Sequence, residues 1–83
     1  VSQGTAASSQ EIRFVVKETQ TVRVVLYDLL GRQVGVLFDR EVQEGFERVA
    51  RIDATRRSLS SGPYFLRFNG ETFTETRKIM VVN

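Results

Sequence analysis

Neither cysteine nor histidine occurs in the 83-residue chain, and tryptophan is also missing. Without cysteine there are no disulfide staples, and without histidine the commonest metal ligand is gone. Most zinc sites and every Cys- or His-based nucleophile arrangement are excluded with them. The missing cysteine leaves the compartment open, because a β-sandwich can be exported without disulfides. Lysine is scarce, with only Lys17 and Lys78 beside the arginines, and Pro63 is the single proline. The net charge of +2 comes from 12 basic and 10 acidic residues, close to balance. The one dense basic cluster is Arg48, Arg51, Arg56 and Arg57, interrupted by Asp53, which argues against nucleic acid as a partner. No apolar run approaches the roughly 20 residues of a membrane helix. The N-terminus lacks the charged-then-apolar order of a signal peptide, so an export address would lie in a longer parent or at the chain's own C-terminus.

What is present is a period of two. Residues 1–10, VSQGTAASSQ, are small and polar and read as a linker from a preceding domain, leaving 11–83 as one small domain. EIRFVV sets Ile12, Phe14 and Val16 against Arg13 and Val15, as an opening strand does. TVRVVLYD puts Val22, Val24 and Leu26 on one face, and RQVGVLF resumes the pattern. In GFERVARID the apolar residues at 46, 49 and 52 break alternation, which predicts a β-bulge between Glu47 and Arg51. PYFLRFN and ETFTETRKIMVV flank Asn69-Gly70, a strong signal for a two-residue hairpin with a type I′ turn. That turn would place Leu66 opposite Phe73 and Tyr64 opposite Glu75. Six to seven strands without helix predict an all-β fold, a small immunoglobulin/fibronectin-like antiparallel β-sandwich.

Two corners stand out. Asp28-Leu29-Leu30-Gly31 carries the aspartate and glycine of a type I turn, with Gly31 as the left-handed residue of a G1 bulge. The leucines at its centre predict a plug, one of them folding over the open end of the sandwich, with an exposed docking tip as the alternative. At SLSSGPYF, Tyr64 follows a tight turn and should bond its hydroxyl back to the loop. Pro63 must stand at the strand's first position or on an edge.

VVLYDLLGRQV, then EG before a strand ending in IDA, then LSSGPYFLRF, and finally TRKIMVV occur in that order. Together, from Glu11 onward, they resemble the type A C-terminal sorting domain of the type IX secretion system of Bacteroidetes. The resemblance implies an immunoglobulin-like sandwich carried by a larger protein bound for secretion or for the surface of a Gram-negative bacterium. Its implied partners are the outer-membrane secretion machinery and, in many members, a sortase-like protease that removes the domain, with the linker as the place of that cut. By position, Gly31 and Arg32 match the family's LGR, Gly62 and Tyr64 its SGVY, and Lys78 with Ile79, Met80, Val81 and Val82 its terminal TRKMVL. Pro63 replaces the family's usual valine, and the isoleucine before Met80 leaves the last strand's register open by one residue.

Continuing the hairpin's parity puts Ile79 and Val81 on the core face and Met80 and Val82 opposite. A last strand apolar on both sides either docks on a receptor or is covered by a neighbouring segment. Asp28, Asp39 and Asp53 match no calcium-loop spacing. Ser58, Ser60 and Ser61 have no base, so neither a metal, a cofactor nor a catalytic residue is assigned. The arginine cluster reads as a solvated face, with contact to acidic lipopolysaccharide as the runner-up. Besides the non-catalytic sorting module, two readings stay open. One is an accessory carbohydrate- or surface-binding module of a secreted enzyme. The other is an assembly domain similar to the immunoglobulin-like module of flagellar hook-cap proteins.

Overall fold

The computed structural model describes residues 6–7, 9–57 and 59–82. The chain order is β1 (Ala6–Ala7), β2 (Ser9–Phe14), β3 (Gln20–Tyr27), β4 (Gln33–Val42), β5 (Arg48–Asp53), a four-residue helix α1 (Ala54–Arg57), β6 (Gly62–Asn69) and β7 (Thr74–Val81). One sheet runs β1-β7-β6-β3-β4 and the other is the pair β2-β5. Neighbours are antiparallel except β1, which joins β7 in parallel. The fold is an all-β sandwich. Strand pairs begin inside the stretch read as a linker, whose residues 1–5 and 8 lie outside the described residues.

Alternation builds the core. Val22, Val24 and Leu26 of β3 face inward with Leu66 and Phe68 of β6, and meet Phe14, Ala50 and Ile52 from the small sheet. The Phe14 ring packs edge-on against Phe38 and Phe68, at centroid distances of 5.2 and 5.5 Å. Two strands cannot cover five, so the long sides of the sandwich are closed by arginines. Arg77 lies 4.9 Å from the Phe68 ring centre, and Arg40 and Arg48 lie 5.1 and 5.9 Å from that of Phe38.

Three expectations are corrected. β5 pairs with β2 in unbroken register from Asp53 to Arg48, with no bulge between Glu47 and Arg51. The inward residues are Ala50 and Ile52, which alternate cleanly, while Phe46 stays exposed in the preceding loop. Register shifts occur instead between β3 and β4, at Val24/Val25 and Leu26/Tyr27. Asn69-Gly70 makes no two-residue turn: Asn69 pairs with Thr74, and residues 70–73 form the connection. Gly70 has no positive φ, its N–H donates to the Phe73 carbonyl at 2.9 Å, and Phe73 packs against the core.

The third correction concerns the leucine plug. Leu29 and Leu30 are 59% and 77% exposed, so neither folds over the core, whose buried members include Ala54, Leu59 and Tyr64.

One polar side chain is buried among the described residues, Gln20. Its Oε1 accepts from the backbone N–H groups of Glu71 and Thr72 at 2.8 and 3.0 Å. Its Nε2 donates to the Glu18 carbonyl and to Thr72 Oγ1. The start of β3 thereby holds the β6–β7 loop, and the buried amide of Gln20 finds its partners there.

Candidate functional site

Asp28 organises the first corner. Its carbonyl accepts from the Gly31 N–H at 3.0 Å, and its Oδ1 accepts from the N–H groups of Leu30 and Arg32, each at 2.9 Å. The Arg32 guanidinium donates to Oδ2, also at 2.9 Å. Gly31 has φ 82°, the left-handed conformation expected of the bulge residue. These bonds close the turn on itself, and its two central leucines are exposed. The Arg32 backbone N–H, then the Arg32 guanidinium and the Leu30 N–H, hold the Asp28 carboxyl below the ordinary carboxylate range, against the opposing effect of burial.

The second corner is closed by Tyr64, whose hydroxyl donates to the Ser60 carbonyl at 2.8 Å, as expected. Gly62 has φ 144°, a backbone angle that other residues rarely adopt, and so turns the chain into β6. Pro63 follows, opposite Met80 of β7 and beyond the last β3 pair at Tyr27–Phe65, where its missing N–H costs no ladder bond on that side.

The two corners lie side by side. A shallow cleft between them is walled by Leu29, Leu30 and Arg32 on one side and Ser61, Pro63 and Tyr64 on the other. The end of β7 joins them through the pairs Gly62–Val81, Pro63–Met80 and Tyr64–Ile79. Gly31, Arg32, Gly62, Tyr64, Ile79, Met80, Val81 and Val82 are therefore brought to one end of the sandwich. Lys78 stands one step back, opposite Phe65 on the outer face of the large sheet. Val81 is 1% exposed, Ile79 is half-buried, and Met80 and Val82 are 43% and 48% exposed. With Leu29 and Leu30 they give this end four exposed apolar side chains.

Not all of this was foreseen. Ala6 and Ala7 pair with Met80 and Val81, so the last turnings of β7 have a backbone partner on their outer edge. Gln10 Nε2 adds a hydrogen bond of 2.6 Å to the Met80 carbonyl. Two alanines in a small polar stretch carry no period from which such a pairing can be read. The roles of Gln20 and Arg77 were likewise missed, since neither belongs to a recognisable spacing.

The arginine cluster is largely engaged within the chain. Arg51 pairs with Glu11 at 2.8 Å across β2 and β5, Arg48 lies against Phe38, and Arg57 donates to the Val36 carbonyl at 3.4 Å. The side chain of Arg56, like Ser58, lies outside the described residues. Among the described residues there is no group of three or more carboxylates able to hold a metal ion, and no helix long and apolar enough to cross a membrane.

A family model described as "Secretion system C-terminal sorting domain" matches residues 7–82. No curated protein and no solved structure shows significant similarity to the chain.

Proposed function

The chain belongs to the family of secretion system C-terminal sorting domains, and from this premise we propose that its turn-and-corner end is the surface the export machinery reads. As a type IX sorting domain it acts on behalf of a parent protein, which it directs to export. The folded sandwich presents Gly31, Arg32, Gly62, Tyr64 and the strand from Lys78 to Val82 to an outer-membrane receptor. The parent then crosses the outer membrane to the cell surface or the medium. A sortase-like protease cutting near residues 1–10 completes the sequence where the domain is removed.

The observation that carries this reading is the exposed apolar end. Leu29, Leu30, Met80 and Val82 contribute little to the fold's own core yet are grouped beside the two corners and the last strand. Exposed apolar groups gathered at one place mark interaction surfaces more often than scattered ones do. Glycines 31 and 62 set the backbone that aims them, and the Tyr64–Ser60 and Asp28–Arg32 bonds hold the two corners still. A rigid, preformed surface loses little entropy on docking.

The test is a secretion assay in a type IX-competent host, with a reporter fused ahead of the domain. Removing residues 78–83 would also remove buried Val81, so failure of that truncation would confound misfolding with lost recognition. Met80→Asn combined with Val82→Asn changes only half-exposed side chains. The expected outcome is a reporter retained inside cells although the variant domain melts as the parent does. Normal secretion of this variant would remove the last strand from the proposal.

A further inference from the structure

Among the described residues, the outer edge of β7 is paired only at Met80 and Val81, where β1 lies against it. From Thr74 to Lys78 every residue is exposed, and no strand among the described residues covers that edge. An open edge is a template for another strand, and its side chains decide which strand and in which register.

We infer that this edge pairs with the same edge of a second copy of the chain, antiparallel and about a two-fold axis through Thr76. A two-fold perpendicular to the sheet leaves each face on its own side, so only residues of like parity can be directly opposite. With Thr76 on the axis, Glu75 of each copy faces Arg77 of the other, twice over, and Thr74 faces Lys78. The charges are complementary in this register. Shifting the axis to Arg77 sets the two Arg77 side chains against each other, and shifting it to Glu75 does the same to the carboxylates. Like charges directly opposite on paired strands are unfavourable, so both neighbouring registers are penalised and one is favoured.

The two side chains are already poised for this. Within one chain the Arg77 guanidinium lies on the Glu75 carboxylate and over the Phe68 ring. Both project on the side where the small sheet leaves the sandwich open, in a hollow shared with Arg13 and Glu47. In the pair, each arginine keeps its own carboxylate and gains a second across the axis, giving four alternating charges. The pairing ends at Lys78, where the proposed recognition strand begins, and leaves β1 and the exposed side chains of Leu29, Leu30, Met80 and Val82 uncovered.

Sedimentation equilibrium of the 83-residue chain, from micromolar to millimolar concentration, tests the inference. The expected result is a reversible dimer that Glu75→Arg and Arg77→Glu each weaken about tenfold. The double variant, Glu75→Arg with Arg77→Glu, restores the charge pattern and should recover parental affinity. Circular dichroism melts check that each variant is folded, and Glu75→Arg keeps the Arg77 cap on Phe68 if Arg77→Glu does not fold. Because the chain has no cysteine, Thr76→Cys offers a second readout, since it should oxidise to a covalent dimer whereas Thr74→Cys should not. A chain monomeric at all concentrations overturns the inference. So does a dimer indifferent to the charge reversals, which would place the contact on another surface.

Discussion

Single side chains here succeed or fail by the hydrogen bonds they complete. Gln20, at the start of β3, accepts from two backbone N–H groups of the β6–β7 loop. Gln20→Ala should therefore cost about 2 kcal/mol, through the loss of a buried side chain and its hydrogen bonds to the β6–β7 loop, measured by urea denaturation. Tyr64→Phe removes one bond at the corner and should cost about 1 kcal/mol in the same experiment. Asp28 adds a pH dependence whose sign follows from its lowered carboxyl. A folded-state value below the unfolded one, near 3.9, means that the turn's contribution is fully present above that value and is lost as pH falls through the folded-state value. An NMR titration should place the Asp28 midpoint below about 3.9. Asp28→Asn keeps an oxygen acceptor but not the charge, so its stability deficit should vanish as the medium is acidified through that midpoint. This corner was legible in the sequence because its bonds run between residues at most four apart.

Strands were legible where the alternation was unambiguous, and their registers were not. The β6–β7 hairpin was expected to set Leu66 opposite Phe73, and Leu66 instead faces Arg77. Asn-Gly favours a two-residue turn, but burying Phe73 and filling the hydrogen bonds of Gln20 favour the longer loop. Those are tertiary gains, invisible in a local motif. The slip from residue 73 to 77 is an even number of positions, so each side chain kept its face. Ile79 and Val81 still point inward and Met80 and Val82 outward, as expected from the wrong register. The missing bulge in β5 has a similar origin, because choosing Val49 over Ala50 as the inward residue creates an irregularity that the chain does not have. The alternation along β7 is directly measurable. Val81→Ala should cost about 2 kcal/mol, and Met80→Ala should lie within about 0.5 kcal/mol of the parent. Equal costs at the two positions would contradict the burial seen along the strand.

At the scale of the whole molecule, the question is why a small domain with a thin core leaves large apolar side chains outside. The leucines of the first turn are the clearest instance. The four bonds of Asp28 fix the shape of the turn, and in that shape both leucines are exposed. Ala54, Leu59 and Tyr64 are buried in the core cluster while both leucines are exposed, so the core is built without either leucine. If Leu29 and Leu30 serve recognition rather than folding, stability and export must separate when both become polar. Leu29→Asn with Leu30→Asn should leave the unfolding free energy unchanged within about 0.5 kcal/mol. The same pair of substitutions should cut export of a fused reporter severely in the secretion assay, while equivalent changes at exposed Val15 and Phe46, outside the turn-and-corner end, should leave export intact. The comparison matters because general surface hydrophobicity predicts equal losses at both places. A selective loss at the turn means that position, not greasiness as such, is what the receptor recognises.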